Sequence, residues 1–397
     1  MSITQFGTIR REVRRIWNRF LRALYDLLQR LYFRKHYDAI VRKNIIRSVG
    51  AVPLGKEAAI YLIFPSQGLL TSHIATLKML RKAEISPIVV SNAPLDAEAH
   101  EQLHPLTTLV IERPNLGYDF GGYRDGVLEL AKDLSSLERL WILNDSVWLL
   151  PQAKTWFERA RAIQKDFVGA TSNYAVLRKS LFGYKTLSAN HYRTNKWSHD
   201  SGNPRFHYAS YALCIGSNIL KSSQFLKFWE KLDVRNDKMA TVTRGEIGLS
   251  QWVISQGFTH AATNEVENLE LELSALPDAD LDRLAREIVI YRGTKLAELR
   301  PHILSTDFAS VEGRGERIAF ILTAVARQGS ACSLAFYNPR RNEFQFLKKS
   351  IIWLSSDGAD CAVESIAALE LELGKSGFIA REAEQIRDAR TKGDLSS

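Results

Sequence analysis

Three side chains that carry oxygen atoms, those of Asn144, Asp145 and Ser146, directly follow the apolar run LWIL. Carboxylate and carbonyl oxygens are the ligands that hard divalent cations prefer, and such a cation can bridge the oxygens of a diphosphate. An NDS tripeptide after a strand is also a common turn. These residues, named the NDS turn, are therefore a candidate for binding Mn²⁺ or Mg²⁺ through Asp145, with an ordinary turn as the alternative.

A second polar stretch, RPNLGYDFGGYRDG, occupies residues 113–126 and contains four glycines. It matches neither GxxxxGK[ST] nor GxGxxG, which disfavours a P-loop or a dinucleotide-binding loop. Glycine permits a positive φ and the close approach of a ligand to the backbone. Asn115, Asp119 and Asp125 offer acceptors for ribose or base groups, and Arg124 offers a forked donor that suits phosphate. This glycine-rich segment is a candidate ligand loop, and a turn with a helix cap is the alternative.

Short apolar runs that alternate with helical windows surround both stretches. In order, the pattern predicts strand 58–64, helix 69–83, strand 87–92, strand 108–112, helix 123–134 and strand 139–145. Strands that alternate with helices indicate a doubly wound, mostly parallel α/β sheet, and its ligands bind outside the carboxyl ends of the strands. We therefore expect the glycine-rich segment and the NDS turn to meet at one edge of the sheet.

The pattern continues with strands at 166–173 and 208–220 and with a helix at 244–258. Between the two strands, residues 184–206 are polar and rich in turn residues, which predicts a long loop beside a ligand site. Trp197 lies in this loop. Since an indole ring can stack on a sugar, we expect Trp197 to contact an acceptor.

The formal net charge is +9, and the N-terminal part of the chain carries it. Residues 10–47 contain twelve Lys and Arg against three acidic residues, and their apolar residues recur at helical spacing. Residues 1–50 are thus predicted to form a basic amphipathic helical segment. Three roles stay open for it: binding to an anionic membrane surface, packing on the main domain, and nucleic-acid binding, for which a reading motif is missing.

Composition argues against several other classes. The three cysteines lack CxxC spacing, which disfavours a disulfide scaffold or a zinc site and fits a reducing cytoplasm. No run of about 18 apolar residues occurs, so neither a membrane span nor a secretion signal is predicted.

The order of the motifs resembles that of one known family. The blocks RPNLGYDFGGYRDG, LWILNDSVW, DFVGATSN, HYASYALCIG, FLKFW and GEIGLSQWVISQGF are similar to blocks of the rhamnan synthesis protein F family, bacterial glycosyltransferases of cell-surface polysaccharide assembly. The likeness covers residues 58–262. It implies a GT-A-like fold and the transfer of a sugar, often rhamnose, from a nucleotide donor such as thymidine-diphosphate rhamnose to a glycan or lipid-linked acceptor.

The resemblance also implies roles for individual residues. As the base of an inverting transfer we expect Glu246, at the start of helix 244–258, with His207 as the alternative base; a first-turn Glu that complements the helix dipole is the competing explanation. The expected acceptor contacts are Trp197, Ser210 and Tyr211. The expected donor contacts are Asn115, Gly117, Asp119, Gly121, Tyr123, Arg124, Asn144, Asp145 and Ser146. The usual DxD metal motif is NDS here, with one carboxylate, so metal dependence stays open.

Three parts of the chain are predicted: the basic segment 1–50, a GT-A-like domain over 51–275, and a C-terminal helical or mixed α/β region over 276–397 of unknown role. We expect a cytoplasmic protein, peripheral on the inner face of the bacterial membrane, without a nucleic-acid partner. A catalytically degenerate binding or scaffolding protein on the same fold is the alternative, because fold alone does not establish activity.

Overall fold

The computed structural model describes residues 17, 20, 21, 24, 25, 32, 33, 35–173, 200–234, 237–341, 343–374 and 377–391. The strands in this part are β1 Ile46–Val49, β2 Glu57–Ile63, β3 Ser86–Ser91, β4 Leu109–Glu112, β5 Arg139–Asn144, β6 Val147–Leu149, β7 Phe167–Gly169, β8 Ser172–Asn173, β9 His207–Tyr208, β10 Ala212–Gly216, β11 His260–Ala262 and β12 Phe346–Lys348.

The α-helices of the described residues are α1 Thr71–Lys82, α2 Ala97–Leu103, α3 Tyr118–Glu129, α4 Trp156–Ile163, α5 Ser217–Leu220, α6 Ser223–Lys231, α7 Lys238–Thr241, α8 Gly248–Ser255, α9 Leu269–Ala275, α10 Asp278–Glu287, α11 Lys295–Ser305, α12 Val311–Gln328, α13 Ser330–Ser333, α14 Tyr337–Arg341, α15 Ile351–Leu354, α16 Gly358–Glu372 and α17 Phe378–Thr391. Two π-helices cover Tyr37–Val41 and Val242–Ile247, and short 3₁₀ helices cover Arg42–Asn44, His104–Leu106 and Leu134–Ser136. Within this part of the chain, no helix is both long enough and apolar enough to cross a membrane.

Eight of the described strands form one sheet in the order β1-β4-β3-β2-β5-β10-β7-β11. Neighbours pair in parallel from β4 through β3 and β2 to β5, and again between β7 and β11. Strands β1 and β10 run opposite to the other six. The doubly wound, mostly parallel sheet expected of a GT-A-like fold is therefore confirmed, with an antiparallel edge strand and an antiparallel inner strand.

Helices cover both faces of this sheet, because alternate residues of its strands point to opposite sides. In β2, Ile60 and Leu62 belong to a core with α3, whereas Tyr61 and Ile63 belong to a core with α1. All four side chains are buried. Burial of a large apolar side chain stabilises a fold by about 1.5–3 kcal/mol, so this strand anchors both layers.

The glycines of the glycine-rich segment serve close packing between protein elements. Of the four, Gly117 alone has a positive φ, of 75°, at the N-cap of α3. A Cβ on Gly122 would lie 2.3 Å from Leu62 of β2, and a Cβ on Gly121 would lie 2.2 Å from the carbonyl oxygen of Leu116. At Gly121 and Gly122 the space that a Cβ would occupy is filled by the protein itself, so packing accounts for these two glycines, and their contact with a ligand stays a prediction.

The end of the N-terminal segment is anchored to α3. Tyr37 is buried, and its hydroxyl donates to Asp125, which also pairs with Arg113 at 2.7 Å. Asp38 accepts two hydrogen bonds from the guanidinium of Arg124, at 2.7 and 2.9 Å. The charged residues at the end of the glycine-rich segment thus hold another part of the chain.

The C-terminal region packs against the turn that follows β5. β12 pairs antiparallel with β6, which brings Lys348 next to the NDS turn. Lys349 donates to Glu382 at 2.9 Å in a buried ion pair. The same carboxylate accepts hydrogen bonds from Ser72 and Trp148, so it joins α17 to α1 and β6. The division of the chain at residues 50 and 275 stays a prediction.

Replacing Gly121 by Ala is expected to lower the free energy of unfolding by about 1–3 kcal/mol, the usual cost of overpacking. The added methyl group would meet a backbone carbonyl oxygen, which cannot rotate away as a side chain can. Urea unfolding measures the effect. The control is Gly315→Ala in α12, where open space surrounds the new methyl and stability should rise by up to about 1 kcal/mol. Equal stability of Gly121→Ala and the wild type would contradict the packing argument.

Candidate active site

Asn144 joins the two stretches singled out in the sequence. Its amide nitrogen donates to Oδ2 of Asp119 at 3.0 Å. Its Oδ1 accepts from the backbone nitrogen and the hydroxyl of Ser146, at 3.1 and 2.6 Å. Asn144 ends β5, and Asp119 lies in the first turn of α3. The glycine-rich segment and the NDS turn therefore meet at the carboxyl edge of the sheet, as expected.

A cavity of about 360 Å³ opens beside this junction, and we name it the Glu246 cavity. Its volume falls within the range of small-molecule sites, about 300–1,000 Å³. The predicted site residues that line it are Asp119, Asn144, Ser146, Ser210, Tyr211 and Glu246. Lys348, from the C-terminal region, also lines it. Residues from five separate parts of the chain thus converge on one space.

Glu246 reaches this cavity from the middle of a helical stretch. α7 begins at Lys238, the side chain of Asp237 caps it, and the π-helix and α8 continue it to Ser255. The predicted helix start at residue 244 is therefore wrong. Glu246 therefore does not lie in the first turn, where an acidic side chain would stabilise the helix dipole. A π-helical turn inside an α-helix often occurs at functional sites, which favours a functional role.

One backbone donor holds the carboxylate of Glu246, and a histidine ring lies beside it. The backbone nitrogen of Ser210 donates to Oε1 at 2.8 Å, and Nε2 of His207 lies 3.7 Å from Oε2. Nδ1 of His207 lies 2.8 Å from the carbonyl oxygen of Arg205, so Nδ1 carries the proton and donates. Nε2 is then the acceptor for the amide of Asn173, at 3.3 Å. The buried His207 ring is thus fixed directly beside Glu246.

Three carboxyl groups influence one another in this region. Burial, followed by the charges of Asp145 and Glu246, raises the pKa of Asp119 from 3.8 to about 6. Burial would also raise the pKa of Asp145, but the hydrogen bond from His73 holds it below its usual value. Asp119 therefore takes up a proton not far below neutral pH, whereas Asp145 stays ionised.

Asp145 lines a second cavity, of about 250 Å³, which we name the Asp145 cavity. Its Oδ2 accepts from the backbone nitrogen of Phe64 at 2.7 Å and lies 3.2 Å from Nε2 of His73. Nδ1 of His73 accepts from the backbone nitrogen of Leu70 at 3.1 Å, so Nε2 carries the proton and donates to Asp145. Ser146 lines both cavities, which are therefore neighbours across the NDS turn.

The described residues do not build a metal site around Asp145. No group of three or more His, Cys, Asp or Glu side chains among them is placed to hold a metal ion. Oδ2 of Asp145 already accepts two hydrogen bonds, and the charge of Lys349 is close enough to lower the pKa of this carboxyl further. The predicted contact with Mn²⁺ or Mg²⁺ thus gains no support from this donor set.

The sequence pattern does not predict what the C-terminal region contributes. Lys348 lines the Glu246 cavity, and Lys349, Trp353 and Arg390 line the Asp145 cavity. Lys348 follows Ser146 by 202 residues. Two lysines after an apolar run are common at solvated strand ends, so no local signal marks Lys348 as a site residue.

The predicted donor contacts that line neither cavity are Asn115, Gly117, Gly121, Tyr123 and Arg124. Arg124 is buried and donates to the carbonyl oxygen of Trp229 as well as to Asp38, so its guanidinium is used inside the fold. Tyr123 is buried, and its hydroxyl donates to the carbonyl oxygen of Ser210 at 2.9 Å. Trp197 lies outside the described residues, and its contact with an acceptor stays a prediction.

Asp119→Asn is expected to stabilise the protein at about pH 8 more than at about pH 5. A carboxyl pKa raised from 3.8 to about 6 means that folding favours the protonated form, so wild-type stability is lost as the pH rises through this interval. The difference is on the order of 1–3 kcal/mol, since one pKa unit equals about 1.4 kcal/mol. Urea unfolding across this pH range tests it, with the exposed Glu101→Gln as the control. A pH-independent difference between Asp119→Asn and the wild type would refute the raised pKa.

Known proteins resemble this chain to different degrees. The uncharacterized protein y4gN of Sinorhizobium fredii is 31% identical over 251 residues, which are 63% of this chain and 59% of the relative. The mannosyltransferase Ktr4p of S. cerevisiae matches with a TM-score of 0.30 at 12% identity, over 55% of this chain and 71% of its own. Core-mannan synthase A of Aspergillus fumigatus, in a Mn/GDP form, matches with a TM-score of 0.29 at 11% identity, over 51% and 71%. These structural likenesses are too low for a ligand to be transferred.

The family comparison matches the middle of the chain. The match with y4gN spans 59% of the length of that relative, which is less than two thirds. The model of rhamnan synthesis protein F matches residues 87–286, which is half of the 397 residues and includes the glycine-rich segment, the NDS turn and Glu246. By this match, the chain belongs to the rhamnan synthesis protein F family.

Proposed function

We propose that the protein is a GT-A-like glycosyltransferase, which moves a sugar from a nucleoside-diphosphate donor to a growing cell-surface polysaccharide or lipid-linked glycan. The Glu246 cavity carries this proposal, because it combines a held carboxylate, a carboxyl group of raised pKa and an ammonium group in one space. Membership of the rhamnan synthesis protein F family supports the same activity. From the family we propose rhamnose as the sugar and thymidine diphosphate as its carrier.

The proposed transfer inverts the anomeric carbon. Glu246 accepts the proton of the acceptor hydroxyl, and the hydroxyl oxygen attacks the anomeric carbon on the face opposite the diphosphate. The bond from that carbon to the diphosphate oxygen breaks, and the nucleoside diphosphate leaves with the electron pair. The backbone nitrogen of Ser210 supports the orientation of the Glu246 carboxylate, and the fixed ring of His207 limits the space beside it. His207 is thus proposed as a positioning residue.

The donor is proposed to lie across the NDS turn. Its sugar would occupy the Glu246 cavity beside Asn144, and its nucleotide would occupy the Asp145 cavity. This arrangement is supported by Ser146, which lines both spaces. The acceptor would enter past Ser210 and Tyr211, with Trp197 contributing from the loop at 184–206.

Melting temperatures measured against a panel of nucleotide sugars test the donor class. A ligand at about 100 times its Kd adds roughly 2.7 kcal/mol of stability, so a true donor should raise the melting temperature by several degrees. Glu246→Gln should keep this shift, because its amide oxygen can still accept from Ser210, and should lower kcat by about 10²–10⁴-fold.

The matched control for this experiment is Glu98→Gln, an exposed carboxylate of α2 that should leave both readouts unchanged. Full transfer by Glu246→Gln would remove this residue from the mechanism. A donor that binds to the wild type without any transfer or hydrolysis would instead support the alternative, a degenerate binding or scaffolding protein.

We also propose that residues 1–50 bind an anionic membrane surface. Trp17, Phe20 and Leu24 are helical and 58%, 56% and 42% exposed, and Leu21 and Tyr25 beside them are exposed as well. These positions form one apolar stripe at helical spacing. Its exposure favours a lipid partner over packing on the main domain. The basic residues of the same segment would face anionic headgroups, each contributing on the order of 1 kcal/mol.

Replacing Trp17, Phe20 and Leu24 together by Ser should weaken binding to phosphatidylglycerol vesicles by well over tenfold. Burial of each large apolar side chain is worth about 1.5–3 kcal/mol, and about 1.4 kcal/mol corresponds to tenfold. Co-sedimentation measures the bound fraction. The control replaces Val311 and Leu371, which are 92% and 79% exposed elsewhere on the protein. Unchanged sedimentation of the triple variant would exclude this stripe as the membrane contact.

A further inference from the structure

Lys348 brings a positive charge into the Glu246 cavity from outside the family-matched residues 87–286. Its ammonium nitrogen lies 4.1 Å from the centroid of the Tyr211 ring and 3.4 Å from the hydroxyl oxygen of Ser146. Among the residues that the structure describes, no carboxylate oxygen lies within 4.0 Å of this nitrogen. Lys348 is therefore held at the cavity by a ring and a hydroxyl group rather than by an ion pair.

The next residue, Lys349, is used differently. Consecutive residues at the end of a strand point to opposite sides, and Lys349 faces the interior. Its ammonium nitrogen donates to Glu382 at 2.9 Å and to the hydroxyl of Ser72 at 3.1 Å, and both charged side chains are buried. Lys349 balances a structural carboxylate, so of these two adjacent lysines Lys348 is the one that can face a ligand.

We propose that Lys348 binds and stabilises the departing diphosphate, in the role that a divalent cation would otherwise fill. This inference rests on the proposed transfer from a nucleotide sugar. When the bond to the anomeric carbon breaks, the leaving oxygen gains negative charge, and a preorganised cation in a partly buried site stabilises it strongly. The described residues supply no three-ligand metal site, whereas they do supply this ammonium group.

The neighbouring groups suit an anionic ligand at this place. Ser146 lines both cavities and lies beside Lys348, so a diphosphate that crosses the NDS turn would pass the ammonium group. Burial raises the pKa of Asp119 in the same cavity to about 6, so its repulsion of phosphate oxygens weakens only as the pH falls through this value. The C-terminal region thereby gains a role: through the pairing of β12 with β6 it adds Lys348 to a cavity that Lys238 of α7 also lines.

Isothermal titration calorimetry on the full chain tests this role. The probes are GDP, UDP, thymidine diphosphate and inorganic diphosphate, each in EDTA and again with Mn²⁺. In EDTA the wild type should bind a nucleoside diphosphate, and Lys348→Met should weaken this binding about tenfold to 100-fold through loss of a charge-assisted hydrogen bond. Lys348→Arg should keep most of the affinity.

Melting temperatures of the two adjacent variants separate binding from folding. Lys348→Met should melt close to the wild type, whereas Lys349→Met should melt markedly lower, because Glu382 is left buried without its partner. A Lys348→Met variant that melts as low as Lys349→Met would mark Lys348 as structural and overturn the inference.

The remaining outcomes distinguish the inference from the proposed function. Equal affinity of the wild type and Lys348→Met, or binding that requires Mn²⁺ and ignores residue 348, overturns the inference and leaves nucleotide binding in place. Failure of every nucleoside diphosphate to bind, with and without Mn²⁺, overturns the proposed function. In that case, Lys348-dependent binding of inorganic diphosphate would still support the phosphate site, and its absence would overturn both.

Discussion

The buried ion pair between Lys349 and Glu382 fastens the C-terminal region to the sheet. Burial alone would raise the pKa of Glu382, but the charge of Lys349 and the hydrogen bonds from Ser72 lower it, so the carboxylate stays ionised. Removing one partner of such a pair costs about 3–5 kcal/mol, since the other charge is left buried without compensation. Because β12 ends immediately before Lys349, this pair also holds Lys348 at the edge of the Glu246 cavity.

Three neighbouring carboxyl groups of the candidate site have different hydrogen-bond partners. Asp145 receives hydrogen bonds from His73 and from a backbone nitrogen, and it remains charged. Glu246 accepts a hydrogen bond from the backbone nitrogen of Ser210. Among the residues that the structure describes, the amide of Asn144 is the one hydrogen-bond donor to the Asp119 carboxylate. Burial raises the pKa of Asp119. Like charges in a partly buried space repel strongly, so Asp119 takes up a proton at a higher pH than Asp145 does.

α3 connects the site to the N-terminal segment. Its first turn places Asp119 in the Glu246 cavity, and later residues of the same helix, Arg124 and Asp125, hold Asp38 and Tyr37. Gly122 and Gly126 let this helix pack closely on Leu62 and Ile60 of β2. One rigid helix therefore links the cavity to the segment for which membrane binding is proposed.

Much of the architecture could be predicted from local patterns. Apolar runs such as AAIYLI and LWIL, with helical windows between them, require parallel strands and place ligand groups at their carboxyl ends, and Asp119, Asn144 and Glu246 do meet there. The helix that carries Glu246 begins at Lys238 after the N-cap residue Asp237, but its continuation through residue 244 could not be predicted, because a π-helical turn has no recognised sequence signal. Gly245 resembles a helix boundary, yet it lies within the π-helix, and a Cβ on it would approach the Phe120 ring to 2.3 Å.

The sequence by itself determined the fold class, the edge of the sheet at which polar groups gather, and the identity of half of the residues that line the Glu246 cavity. Only the tertiary structure decided which cations face that cavity. The sequence alone favours Arg124, beside the glycines, as a phosphate ligand over Lys348, near the end of the chain. Asp38, 86 residues earlier, turns Arg124 inward, and strand pairing brings Lys348 to Ser146 across 202 residues. Such contacts arise when whole elements pack together, and no local window of sequence contains both partners.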